Sequence, residues 1–301
     1  MVSLILIIAT SFFFTGVISR TKSLASGRKG PGIFQNMKDI IRLWRKGAVY
    51  SSTTSYIFQI APTVYFASVV MAVLMIPHGN RPGIISFNGD FVMFAYVLAI
   101  GKFLMVVSSL DTGSSFEGMG ASRESLFSML VEPAFFILMG SFALYTGHTS
   151  FHSIFTSLNY GPYISYMLGA LATFVLVMIA MVENSRMPVD DPKTHLELTM
   201  IHEVMILDNS GFDLGTITYT TNLKFAMYGA LIANFFIGSM SLAYSIPLFL
   251  IIQVAFAGLI GIIESFMARF RMNHNPEFIF ILTSVSLLIF FGVLLITGKF
   301  I

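Results

Sequence analysis

Eight stretches of about 20 mostly apolar residues run through this chain, near 1–19, 60–77, 90–110, 127–146, 161–182, 223–242, 246–268 and 278–298. A helix needs roughly that length to cross about 30 Å of hydrocarbon, and in lipid each backbone group must be satisfied within the helix itself. The expectation is an all-α, polytopic membrane protein: one integral-membrane unit over 1–301 with about eight transmembrane helices. Composition agrees, since 55% of the 301 residues are hydrophobic and 11% charged, against about 25% charged in soluble domains. The first run begins at Met1, is followed by basic residues instead of preceded by them, and lacks a small-residue cleavage site. It reads as a transmembrane helix, not as a removable signal.

Cysteine is absent, which excludes disulfides and removes every thiolate ligand for an iron–sulfur cluster or structural zinc. An electron-carrying cofactor would therefore sit in another chain. The net charge of +2 gives no argument for nucleic acid, and the basic residues are better explained by orientation. Arg20, Lys22, Arg28, Lys29, Lys38, Arg42, Arg45 and Lys46 follow the first run, Arg123 the third, Arg186, Lys193 and Lys224 the fifth, and Arg269 and Arg271 the seventh. By the positive-inside rule those loops face the cytoplasm and both termini face outside, as in a multi-pass protein of the cytoplasmic (inner) membrane.

Two of the cytoplasmic loops are patterned. In 20–59, Phe34, Met37, Ile40, Ile41 and Trp44 recur at helical spacing opposite Lys38, Arg42 and Arg45, which predicts a lateral amphipathic helix in the headgroup region. In 183–222, Pro188 and Pro192 precede a predicted helical stretch from about Thr194 to Leu207, which Gly211 and Gly215 are expected to end.

The second loop concentrates ionisable groups: Glu183, Arg186, Asp190, Asp191, His195, Glu197, His202, Glu203 and Asp208. Interfacial Glu and Arg often only pair with one another or snorkel to headgroups. His202-Glu203 starts like a zincin helix, but Ile206 stands where the second histidine belongs, so no metal site is assigned. Asp190-Asp191 is a single acidic pair and does not make a diphosphate site. Proton handling is the remaining chemistry. Lys102, Glu132, Glu183 and Glu264 fall within or near the apolar runs, where ionisable groups face the bundle interior and mark ion routes. Two plainer readings stay open: Lys102 and Glu264 as a structural ion pair, and Glu132-Pro133 as a helix start.

These residues resemble a known family. Glu183, Arg186, Pro188, Asp190, Pro192, Glu197 and Leu198 match, in type and spacing, the loop E-x-x-R-x-P-F-D-x-P-E-x-E-x-E-L of the complex I membrane subunit known as NADH dehydrogenase subunit 1. Gly27 to Pro31 with Gln35 resembles its first loop, where R-x-G-P precedes a lateral helix; Gly120, Arg123 and Glu132 resemble its G-G-L-R and a later glutamate. Val189, Lys193 and His195 depart from the complex I pattern. The run His195 to Asp208 instead resembles the counterpart subunit of formate hydrogenlyases and group 4 membrane-bound nickel–iron hydrogenases.

The resemblance implies a membrane anchor and proton-coupling subunit that holds no redox centre itself. The iron–sulfur clusters and nickel–iron centre belong to hydrogenase-like small and large subunits, and antiporter-like membrane subunits move the ion. Arg28, Arg123 and the 183–222 loop would then dock the soluble arm, with Glu132, Glu183, Lys102 and Glu264 in coupling. The alternatives are a quinone-site subunit of a complex I-like dehydrogenase and a stand-alone secondary transporter. The transporter is disfavoured because the two long loops share no motif and no internal repeat is seen.

Overall fold

The computed structural model describes residues 1–159, 163–191 and 200–298. Among them the chain is helical, with no strand beyond an isolated bridge between His78 and Arg81. The helices are α1 (Val2–Ser11), α2 (Phe14–Ala25), α3 (Gln35–Trp44), α4 (Tyr56–Met75), α5 (Asp90–Asp111), α6 (Ser115–Thr146), α7 (Phe151–Asn159), α8 (Tyr163–Glu183), α9 (His202–Met205), α10 (Gly211–Ile237), α11 (Leu242–Phe266) and α12 (Asn275–Thr297). By length and apolarity α4, α5, α6, α11 and the Met272–Thr297 stretch can each cross a membrane. The first apolar run becomes α1 and α2, bent by 43°, which counts as a sixth span if taken together. The protein is thus a multi-pass membrane protein.

α10 lies at the centre and is buried over most of its surface. It begins at Gly211, well before the apolar run predicted from 223, and the reason is visible in its threonines. Thr216, Thr218 and Thr220 each donate their hydroxyl to the carbonyl four residues back, at 2.7–2.9 Å. A polar sequence therefore continues as helix with its hydroxyls satisfied internally. Gly211 opens α10 instead of ending a helix before it, and Gly215 lies inside α10, where a Cβ would stand 2.9 Å from Trp44 Cδ1. Both corrections have one cause, the close approach of the first loop to this helix. Of the stretch expected to be helical from Thr194, residues up to Thr199 lie outside the described residues, and the rest forms only the single turn α9.

α3 confirms a helix in the first loop, with its apolar face divided. Met37 and Ile40 are buried in a small cluster with Tyr219 of α10, and Trp44 meets Tyr219 edge-on at 5.3 Å. Phe34 and Ile41 stay exposed beside Lys38, Arg42 and Arg45. α6 also starts earlier than expected, at Ser115, which takes Arg123 out of a loop and into a helix. The unexpected α7 is held by the buried Asp90, whose carboxylate accepts from the Phe151 N–H at 2.7 Å and the Ser150 hydroxyl at 3.0 Å. Asp90 thereby satisfies donors that the start of a helix leaves orphaned.

Candidate functional site

Where α5, α6, α8 and α10 meet, four ionisable side chains form a chain inside the bundle. Lys102 Nζ of α5 lies 3.0 Å from Glu124 Oε1 of α6 and 3.2 Å from Glu183 Oε2 at the end of α8. Lys224 Nζ of α10 lies 3.0 Å from the same Glu183 oxygen and donates to the Glu183 carbonyl at 2.9 Å. Ser128 donates to Glu183 Oε1 and Ser185 to Glu124 Oε2. Two acids and two bases alternate, so the burial cost of each charge is offset by its neighbours. The result is a connected set of proton-binding groups away from bulk water.

Glu132 stands two helical turns beyond Glu124 on α6 and is exposed on the surface of this chain. A narrow crevice of about 40 Å³ connects its neighbourhood to the ion chain, lined by Lys102, Ser128, Glu132, Glu183 and Tyr228 among phenylalanines. At roughly 10–15 Å³ for each water centre, it has room for a few waters.

Glu264 of α11 belongs to a second centre. Its carboxylate is 3.3 Å from Arg186 Nη1 and 3.5 Å from Lys22 Nζ. Lys102 and Glu264, weighed as a pair from sequence, therefore have different ionic partners. The Arg186 guanidinium also lies 5.2 Å from the Phe225 ring centre, within cation–π range.

The loop after α8 folds inward around Asp190, which is fully buried. Asp190 Oδ1 accepts from Asp191 N–H and pairs with Arg269 Nη2 at 2.9 Å; Oδ2 accepts from the Ile201 and His202 N–H groups at 3.2 and 3.1 Å. Burial pushes its carboxyl above the usual aspartate range, against the pull of Arg269 and of these N–H donors. Arg123 fastens the same loop by donating to the Met200 carbonyl at 3.0 Å. α9 then packs on α6 at Gly120, where a Cβ would come within 2.5 Å of Val204 Cγ1. The glycine and arginine singled out in sequence are the points at which this loop meets α6.

A polar cavity of about 310 Å³ opens between α2, α3, this loop and α10, lined by residues that include Asn36, Asn184, Arg186, His202, Glu203 and Asn222. Arg28 is exposed on the first loop and Asp208 on the second, where the Asp208 N–H is bound by buried Glu117 at 2.8 Å. Asp191 and Glu203 are half-buried. His195 and Glu197 lie outside the described residues.

Glu124 and Lys224 were missed in the sequence reading. Glu124 follows Arg123 in what looked like a loop, yet Gly120, Glu124 and Ser128 at intervals of four mark one face of a helix. Lys224 was counted among loop cations, although it begins the sixth apolar run; it is 2% exposed.

The NADH dehydrogenase family matches residues 1–295 of the chain. Hydrogenase-4 component C of Escherichia coli (strain K12) is 29% identical over 224 residues, covering 74% of this chain and 70% of that protein. Formate hydrogenlyase subunit 4 of the same organism is 25% identical over 285 residues and covers 92% of each. Among solved structures, a chain of the membrane-bound sulfane sulfur reductase, an archaeal respiratory membrane complex, shares the fold with a TM-score of 0.80 over 96% of both chains at 17% identity. With a match that spans nearly its whole length, the chain belongs to the NADH dehydrogenase family.

Proposed function

We propose that the protein is the membrane anchor and proton-coupling subunit of a multi-subunit redox complex of the formate hydrogenlyase or membrane-bound hydrogenase type. The observation that carries this reading is the buried chain Glu124, Lys102, Glu183, Lys224, which four helices assemble beside the loop expected to dock the soluble arm. The full-length similarity to formate hydrogenlyase subunit 4 and the His195 to Asp208 stretch favour this branch over a complex I-like quinone reductase.

In this reading the iron–sulfur clusters and nickel–iron centre reside in the small and large partner subunits, and antiporter-like subunits take up the signal along the membrane. Electron transfer in the arm changes the electrostatic field at the loop and shifts which members of the chain hold protons. Glu132, exposed across the crevice from Glu183, is the contact to the next membrane subunit. Such coupling requires two discrete arrangements of the network. All eight apolar runs span the membrane, α3 lies along the headgroups with Phe34 and Ile41 in the interface, and the basic loops face the cytoplasm.

The test is Glu132→Gln in the purified complex reconstituted into proteoliposomes. Subunits should still co-purify while ion movement for each electron falls, and unchanged coupling would refute the assignment of Glu132 to the proton route.

A further inference from the structure

We infer that the Ser185 hydroxyl is the proton relay between the cytoplasmic cavity and the buried ion chain, taking a proton from cavity water and passing it to Glu124 Oε2. The inference rests on the coupling function proposed above and names the side chain through which protons reach the chain.

Ser185 belongs to both places. It forms part of the wall of the 310 Å³ cavity, beside Asn36, Asn184, Arg186, Glu203 and Asn222. A cavity of that volume with so polar a lining is one that water fills. The serine is itself only 3% exposed, and its Oγ donates to Glu124 Oε2 at 3.4 Å. The other oxygen of that carboxylate, Oε1, faces Lys102 Nζ at 3.0 Å. Glu124 thus turns one oxygen to the ion chain and the other to a hydroxyl of the cavity wall.

The backbone at this position argues that the hydroxyl is there for a purpose. α8 ends at Glu183, and the chain turns out of it through two bonds, Ser185 N–H to the Val182 carbonyl at 3.0 Å and Arg186 N–H to the Met181 carbonyl at 2.8 Å. That is a Schellman ending with Ser185 at its left-handed residue, φ +49°, the place glycine fills most often because a Cβ is unfavourable there. Among the described residues Ser185 is the one non-glycine residue with positive φ. Its hydroxyl does nothing for the turn, since both of the turn's bonds are made by backbone; among the described residues its one hydrogen bond goes to Glu124. The same turn places Glu183, two residues earlier, on Lys102 and Lys224.

A hydroxyl suits the task because one oxygen both donates and accepts. A hydronium ion in the cavity water gives its proton to Ser185 Oγ as the Oγ–H proton leaves to Glu124 Oε2. One O–H bond forms on the serine as another breaks, so the serine ends as it began, a water is left in the cavity and Glu124 becomes neutral. The resting contact is longer than the usual O–H···O distance of about 2.7–2.8 Å, and transfer takes place when the two oxygens close by roughly 0.6–0.7 Å. A neutral Glu124 leaves Lys102 with Glu183 alone, the carboxylate it already shares with Lys224, which is how a proton arriving at one end is felt along the chain.

The experiment uses the whole complex and follows protonation of Glu124 itself, as the infrared carboxyl band that appears after an acid jump and is missing in Glu124→Gln. In Ser185→Ala the band should rise on the order of 100-fold more slowly, the low end of what a positioned acid–base group contributes, yet reach the wild-type final amplitude. Ser185→Cys nearly keeps the size of serine but offers only a weak donor and acceptor, so it should also be slow, and it serves if the alanine variant does not assemble. Because the chain has no other cysteine, methyl methanethiosulfonate added from the water should modify this chain in the cysteine variant, as read by its mass. A wild-type rate in either variant, a final amplitude below wild type, or no modification of the thiol overturns the relay. Protons moved for each electron, measured on the wild-type complex in proteoliposomes, separate the two ideas. If it moves protons while Ser185→Ala protonates Glu124 at the wild-type rate, only the relay fails, and if the wild-type complex moves none, the coupling function fails.

Discussion

Replacing Glu183 with glutamine removes the one carboxylate shared by two buried ammonium groups, and the consequences for the two are unequal. Lys102 keeps Glu124 at 3.0 Å. Lys224, 2% exposed, is left with the Glu183 carbonyl at 2.9 Å and the Tyr65 ring at 5.9 Å. Breaking a buried ion pair by deleting one partner costs about 3–5 kcal/mol, because the survivor is a desolvated charge without its counterion. For a chain of this size that lowers the melting temperature on the order of 10 °C. Replacing Lys224 with methionine in the same protein removes the stranded charge, so Glu183→Gln/Lys224→Met should recover most of the loss while coupling stays absent. The assay is thermal unfolding of the detergent-purified complex beside proton movement in proteoliposomes. If single and double variants melt at the same temperature, Glu183 is not what holds Lys224, and the energetic argument fails.

Further consequences can be measured separately. Arg186→Glu faces the 2% exposed Glu264 carboxylate with another acid in place of its guanidinium partner, and Asp190→Lys sets a cation against Arg269 while freeing three loop N–H groups; in both, the soluble arm should be lost from the purified complex, and intact co-purification would count against the docking role of this loop. Gly211→Ala requires a side chain at φ +51°, with a Cβ only 2.2 Å from the Gly47 carbonyl oxygen. The segment around 47–50 should then lift from α10 and become a site of protease cleavage, whereas wild-type resistance would refute the close crossing. Tyr50 donates to Asp213 at 2.7 Å, and that bond pushes its phenol up to about 12. Because the folded value is the higher one, this tie is at full strength below the unfolded tyrosine value of about 10 and weakens as pH rises toward 12. Protease protection of the 46–55 segment should therefore fall over that interval in the wild type, and Tyr50→Phe should lack the step.

The helices were legible in the sequence where apolar residues alone define them. The α4, α5, α8, α11 and α12 ranges lie within a few residues of the runs read by hydropathy. The misjudged ends are those where polar residues are satisfied inside the bundle. The threonines of α10 bond to their own helix, and the start of α6 hides Glu117 and Glu124 against the loop. Glu183 and Lys102 were singled out because charge in an apolar run is costly, and the same rule would have found Lys224 had it not been counted with the loop. That Lys102 meets Glu124 and Glu183, while Glu264 meets Arg186 and Lys22, depends on which helices are neighbours. Separations of 22 to 242 positions along the chain carry no local signal of it. The inward fold of Asp190 was likewise hidden, since its partners Arg269, Ile201 and His202 come from distant or irregular segments.

The central claim, that this chain anchors a redox complex of the hydrogenase type, is tested most directly by purifying it in mild detergent through a tag and identifying the co-purifying proteins and metals. The account predicts a hydrogenase-like large subunit, iron–sulfur proteins and antiporter-like membrane subunits, with nickel and iron in the sample. A metal-free preparation of this chain alone, or of its homo-oligomer, would contradict it.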